Sequence, residues 1–270
     1  MILNESPSLS TLSASSDIAL TTSLVEIFSA IQGEGLNVGT RQIFVRFGGC
    51  DLRCRFCDSV HTWHPNESCR IEKTPGLRDF ESHPNPVSVE QILKWVQRQD
   101  QPKLHDSISL TGGEPLLHSD FLRGLLPKLR SQTHLPIYLE TGGHLPQALQ
   151  TLLPHLDLIG MDLKLPSVSG ENHWEAHREF LNHAVEANVE IFCKVILAEH
   201  TAPDDLEKVI ETVTAINPMI PIYLQPVTPL SDHSMRSPTP AQVLQWQAEL
   251  KQKLSTVRVV PQTHKMLDQL

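Results

Sequence analysis

Short β-rich runs alternate with amphipathic helical segments along most of this chain, and that alternation restricts its fold more than any other feature. The runs are Val25–Phe28, Ile43–Phe47, Ser107–Leu110, Ile137–Glu140, Asp157–Met161, Glu190–Leu197, Ile222–Gln225 and Val257–Val260. Between them, Val89, Ile92, Leu93 and Val96 fall at i, i+3, i+4 and i+7, so Val89–Arg98 presents one apolar helical face. Asp120–Arg130 follows a candidate N-cap at Ser119, and Pro203–Ile216 opens with proline and acidic residues, as helix starts do. Trp174–Ala187 and Ala241–Leu254 also read as helices. Strands and helices in this order predict βαβ units, hence an α/β fold around a mostly parallel sheet.

The polar motifs recur at strand ends. IFVRF leads into GGC, SISL into TGGEP, IYLE into TGG, DLIGM into DLK, IYLQ into Pro226, and VRVV into PQTHK. In a parallel α/β barrel the carboxyl ends of the strands share one face, and active sites are built there. Six polar tips therefore predict one shared site. Two stretches break the pattern, 64–86 with its four prolines and 166–173, and both read as insertions between elements. The first 23 residues carry no Lys or Arg, which fits neither a secretory signal nor a mitochondrial presequence. They are expected to form a disordered tail ahead of a domain spanning 24–270. No apolar run approaches the ~18–20 residues of a membrane span, and a cytoplasmic location is expected. The formal charge of −9 argues against a surface built for nucleic-acid phosphates.

Cys50, Cys54 and Cys57 crowd into eight residues with Cys-x3-Cys-x2-Cys spacing, while Cys69 and Cys193 stand apart. An odd, clustered set is not a disulfide framework. Three thiolates on one loop suit either three corners of an iron–sulfur cubane or a zinc ion completed by His61, His64 or Cys69.

With Phe56 just before the third cysteine, and Thr111-Gly-Gly-Glu-Pro115 after a predicted strand, the spacing resembles the signature of the radical S-adenosylmethionine (SAM) superfamily. Gly112 and Gly113 fit a main chain that must approach a ligand closely. Within that superfamily the chain resembles the 7-carboxy-7-deazaguanine synthases, from about Leu24 onward. Four segments carry the resemblance: Glu26–Gly35 (EIFSAIQGEG), Phe44–Cys50 (FVRFGGC), Cys57-Asp-Ser59 with Thr62-Trp63, and Arg258–Lys265 (RVVPQTHK).

The resemblance implies a partial (open) parallel β/α barrel of the radical SAM type and a carbon–nitrogen lyase of queuosine biosynthesis. The reaction would convert 6-carboxy-5,6,7,8-tetrahydropterin to 7-carboxy-7-deazaguanine with loss of ammonia. It would use a 4Fe–4S cluster on Cys50, Cys54 and Cys57, SAM, and Mg²⁺ held by Ser59. SAM would lie against Phe56, Gly112, Gly113, Glu114, Asp162, Leu163, Lys164, Gln225, Pro226, Val227 and Thr228. The pterin would meet Ile31, Gln32, Gly33, Glu34, Thr111, His264 and Leu270, with Arg46 on its carboxylate. The implied partners are a flavodoxin or ferredoxin as electron donor and a second copy of the chain in a homodimer. Asp58 reads as a metal carboxylate, an N-cap or a pair to Arg53. A glycyl-radical-enzyme activase would share the cysteines but has no need of QGEG or QTHK. A zinc-binding module without catalysis is the alternative of another class.

Overall fold

The structure, a computed structural model, describes residues 20–229, 235–267 and 269. Residues 1–19 of the expected tail, and Leu270, lie outside the described residues. Within the stretch expected as tail, Thr21–Thr22 (β1) pairs antiparallel with Val87–Ser88. The remaining strands are β2 (Leu24–Ile31), β3 (Arg41–Phe47), β4 (Ser68–Glu72), β5 (Phe80–Pro84), β6 (Val87–Ser88) and β7 (Ser107–Gly112). They continue with β8 (Ile137–Thr141), β9 (Leu158–Asp162), β10 (Glu190–Leu197), β11 (Ile222–Pro226) and β12 (Val257–Val259). The helices are α1 (Val89–Gln99), α2 (Ser119–Gln132), α3 (Pro146–Gln150), α4 (Pro166–Ser169), α5 (Trp174–Glu186), α6 (Pro203–Thr214) and α7 (Pro240–Lys251). Ser119 proves to be the first residue of α2, with His118 at the cap position and no side-chain cap bond.

The main sheet runs β12-β11-β10-β9-β8-β7-β3-β2-β4-β5. Neighbours from β3 to β12 pair in parallel, and the two edges do not meet, so the barrel is open. Alternation along each strand sorts the side chains. Ile191, Cys193 and Val195 of β10 face the main core under the helices, whereas Phe192 and Lys194 face inward. Tyr138, Phe192 and Tyr223 form a small aromatic cluster at the inner floor, with Leu36 packed on it.

Two features were hidden in the sequence. The 64–86 stretch, read as an irregular insertion, forms the β4–β5 hairpin, which extends the sheet through parallel β2–β4 pairing. Only Cys69 and Ile71 of its first strand are fully buried with apolar side chains, too short an alternation to see among the prolines. Strand β2 runs antiparallel to β3. The QGEG segment therefore starts from the end of the sheet opposite to the other motif tips and folds up inside it.

Glu72 fastens the hairpin to this frame. Fully buried, it accepts the Ser29 N–H at 2.8 Å and the Arg78 N–H at 2.7 Å. Glu72→Ala leaves both donors without a partner and should cost about 1–3 kcal/mol. A lowered urea midpoint with faster amide exchange confined to the hairpin is the expected result; unchanged exchange there would refute the role.

Candidate active site

The inner face of the open barrel encloses a cleft of about 460 Å³. Its walls include the three clustered cysteines and Ser59, the first residues of the TGGEP segment, the QGEG segment, Arg46, Asp162, Lys164, Gln225 and the QTHK segment. Motifs spread over more than 230 residues of sequence thus share one cavity.

The cysteine loop leaves β3 through Gly48 and Gly49 and is pinned by main-chain bonds. Gly49 N–H donates to Thr62 O, Cys50 N–H to Trp63 O and Cys57 N–H to Cys54 O. Arg53 reaches back to the carbonyls of Cys50 and Leu52, its guanidinium lying over the Trp63 ring. From the other side, Glu171 accepts the Arg53 N–H at 2.7 Å and Ser169 O accepts the Arg55 N–H at 3.0 Å. The 166–173 stretch is therefore a brace for this loop. Burial pushes the Cys50 thiol up to about 11, with Glu114 and Asp51 adding to the rise, and burial also raises Cys54. Ligation requires thiolates, so a bound, positively charged iron–sulfur core would have to overturn that preference.

The zinc alternative fits less well. Cys69 is buried in the core away from the cleft, and His61 stands on the Arg46 side of the cavity. Among the described residues no three His, Cys, Asp or Glu, the clustered cysteines included, are gathered closely enough to hold a single ion. A cubane spreads its thiolates more widely. Ser59 presents its hydroxyl to the cleft, donating to Asp58 Oδ1 at 3.3 Å, a fit for a hard cation with few protein ligands.

Gly112 and Gly113 line the cleft at positions that admit no side chain. A Cβ on Gly112, whose φ is +137°, would collide with the Phe47 backbone, and one on Gly113 with the Gly49 carbonyl. The glycines let the β7 tip press against the cysteine loop, where Glu114 N–H donates to Gly49 O at 2.9 Å. The Glu114 carboxylate, 1% exposed, accepts from Leu116 N–H, Thr141 Oγ1 and Gly142 N–H. Burial raises it despite those bonds. It ties the β7 and β8 tips together, so its side chain is engaged within the protein rather than open to a cofactor.

Below the loop lies a buried charge network. Lys194 Nζ donates to Glu34 Oε2 at 2.6 Å and sits 3.2 Å from Asp162 Oδ1 and 3.9 Å from Glu140 Oε2. Asp162 is also paired to Lys164 at 2.9 Å, and the Lys164 ammonium lies 5.3 Å from the Phe56 ring centroid. Burial would raise Asp162, but Lys164 and Lys194 outweigh it and hold the carboxyl at about 2. Burial raises Glu140, only partly opposed by Lys194. Gln32 spans the network, donating to Glu140 at 2.9 Å and Gln42 at 3.2 Å while accepting the Glu34 N–H.

The QTHK segment closes one side. Gln262 Nε2 donates to both Glu34 Oε1 and Asp58 Oδ2, Lys265 pairs with Asp58 at 2.7 Å, and Thr263 N–H donates to Gly33 O. Asp58 is thus paired to Lys265 and not to Arg53. Ile31, Gly33, Thr111, Val227 and His264 all reach the cleft. Leu163 does not; its side chain is 1% exposed in the core, and its N–H donates to Lys194 O. Pro226 and Thr228 also stand off the wall, Thr228 donating to Gln262 Oε1 at 2.7 Å. Arg46 lies on the wall with its Nε 3.0 Å from Glu26 Oε1. Glu26, Glu140 and Lys194 were not anticipated. Their signal was a charged side chain inside an otherwise apolar strand, as in Ile191-Phe-Cys-Lys-Val195, where only a polar interior can receive it.

The Radical SAM superfamily model matches residues 44–216, so the chain belongs to that superfamily and shares its 4Fe–4S and SAM cofactors. A radical SAM methyltransferase from Sphaerobacter thermophilus has the same fold at 13% identity and a TM-score of 0.58, over 88% of this chain and 77% of that one. The crystal structure of QueE from Escherichia coli, 23% identical, covers 90% of this chain and 95% of that chain with a TM-score of 0.58. The 7-carboxy-7-deazaguanine synthase of Geobacter sulfurreducens is 44% identical over 92% of this chain and 97% of its own length. That of Thermococcus kodakarensis is 34% identical over 77% of this chain and 84% of its own. The chain is a member of the 7-carboxy-7-deazaguanine synthase family.

Removing Lys194 should expose the strain it relieves. Lys194→Met strands buried carboxylates and should cost about 3–5 kcal/mol near neutral pH. Because Asp162 titrates near 2 rather than its ordinary 3.8, its stabilising share is complete above about pH 4 and is lost as pH falls towards 2. In the variant the stranded carboxylates take up protons at higher pH, so its deficit should shrink between about pH 7 and pH 4. Urea titrations across that range showing a constant deficit would contradict the assignment.

Proposed function

We propose that this chain converts 6-carboxy-5,6,7,8-tetrahydropterin to 7-carboxy-7-deazaguanine with loss of ammonia, a step of queuosine biosynthesis. The observation that carries the reading is the shared cleft, whose walls bring the cysteine loop together with QGEG, Arg46 and QTHK. A bound cluster and SAM would supply hydrogen abstraction and radical rearrangement; the protein's part is to orient, neutralise and shield.

In this reading Cys50, Cys54 and Cys57 hold the cluster and Ser59 a Mg²⁺ ion. Gly112, Gly113, Phe56, Asp162, Lys164, Gln225 and Val227 form the SAM side. Gln225 is 3% exposed, donates to Glu34 at 3.1 Å and leaves its Oε1 unpartnered at the wall, an acceptor suited to an amino group. Ile31, Gln32, Gly33, Glu34, Thr111 and His264 form the pterin side, and Arg46 takes the carboxylate. The QTHK strap, clasped through Asp58 and Glu34, excludes water from that end. No helix among the described residues is long and apolar enough to cross a membrane. A cytoplasmic location, a flavodoxin or ferredoxin as reductant and a homodimer complete the proposal.

Three outcomes are expected of the anaerobically reconstituted protein. Cys54→Ala should lose the cluster's iron and visible absorbance, whereas Cys69→Ala and Cys193→Ala, whose side chains sit in the core, should retain both. Ser59→Ala should raise the Mg²⁺ requirement with the cluster spectrum intact. Wild-type turnover with the carboxypterin, SAM, Mg²⁺ and a reductant should yield many deazaguanine products per SAM cleaved, counted by mass spectrometry. SAM cleavage without that product would favour an activase instead.

A further inference from the structure

Two cations and one anion meet on the cleft wall beside Arg46. Glu26, on the inner face of β2, is 2% exposed and needs a charged partner there. Its Oε1 accepts Arg46 Nε at 3.0 Å, and its Oε2 accepts Arg70 Nη2 at 2.6 Å. Arg70 comes from β4, in register with Glu26 across the parallel β2–β4 pair, and its guanidinium lies 4.8 Å from the Phe80 ring centroid. His61 lines the same part of the cleft. The next acid, Asp58, is matched by Lys265. One positive charge is left over, turned towards the cavity.

The division of labour on Glu26 decides where that charge sits. An arginine facing a lone carboxylate closes onto it with two nitrogens, forming a neutral pair with little left for a second anion. With Arg70 holding Oε2, Arg46 is tied through Nε alone. Among the described residues its terminal nitrogens have no hydrogen-bond partner, and its guanidinium also lies 5.5 Å from the Phe28 ring centroid, which fixes its plane.

We infer that Arg70 is a positioning residue for substrate selection: by satisfying Glu26 it keeps the Arg46 fork open for the carboxylate of the pterin. The 64–86 insertion then has a task at the site, the delivery of this second cation. The inference rests on Arg46 as the carboxylate partner proposed above.

The test uses reconstituted enzyme with SAM and Mg²⁺, and calorimetric titration with 6-carboxypterin, an oxidised analogue, and with pterin lacking the carboxylate. Arg70→Ala should weaken 6-carboxypterin at least tenfold and leave pterin within about twofold. Arg70→Lys should recover most of the loss, because an ammonium still neutralises Glu26. Adding Glu26→Gln to Arg70→Ala should also restore binding, since Arg46 then has no carboxylate to close on, a rescue that mere structural damage would not give. Equal weakening of both ligands, no weakening, or no rescue by either route would overturn the role of Arg70. Wild-type product formation measured alongside separates the failures. Product with no selective loss in Arg70→Ala removes this inference alone, while absence of product removes the substrate reading and this inference with it.

Discussion

Lys194 carries its charge into the centre of the barrel between Phe192 and Ile196 on the inward phase of its strand, and Glu34, Asp162 and Glu140 gather around it. An ammonium with no water around it is tolerable only when carboxylates replace the lost hydration. That requirement draws together segments far apart in the chain. Glu34 belongs to the QGEG segment entering from below, Asp162 to the tip of β9, and Glu140 to β8. The same Asp162 orients Lys164 beside Phe56 and the cysteine loop, while the same Glu34 receives Gln225 and Gln262. Floor, wall and strap of the cleft are therefore referenced to one buried cation.

The parallel part of the fold was legible because its strands are short, strongly apolar and separated by periodic helices, so local pattern and tertiary burial agree. Glu190–Leu197 was placed to the residue. The motif tips of β3, β7, β8, β9, β11 and β12 reach a common site because a parallel run gives them one shared end. The antiparallel β2 was not legible. Nothing in Val25–Phe28 specifies its direction, and direction is set by the short β2–β3 connection and by where Glu34 finds Lys194. The hairpin of 68–84 escaped for a similar reason: its apolar residues are few, and buried Glu72, a polar residue, does the fastening.

Site residues separate along the same line. Those carried by a motif, such as the cysteines, Ser59 and Arg46, reach the cleft. Those read from a run of neighbours fared less evenly, because side chains on a strand alternate: Asp162 and Lys164 face the cavity while Leu163 between them turns into the core. Period two also exposes the residues that were overlooked, since Glu26, Glu140 and Lys194 are charged side chains on the inward phase of mostly apolar strands.

The stretches 64–86 and 166–173 look like interruptions in the sequence, yet each supports the cleft: one sets Arg70 on its wall and the other holds the cysteine loop. The 166–173 stretch accepts main-chain N–H groups of the cysteine loop through Ser169 and Glu171, which leaves that loop short of freedom before any cluster binds. The 64–86 stretch widens the sheet past β2 and sets a guanidinium against Glu26. A compact barrel without them would keep the cysteines and Arg46 but would have to brace the loop and balance Glu26 by other means. Their irregular composition follows from that work. A brace made of one carbonyl and one carboxylate acceptor, and a single arginine set against Glu26, need turns and hydrogen bonds more than a periodic apolar face, so they leave no amphipathic trace for a sequence reading to find.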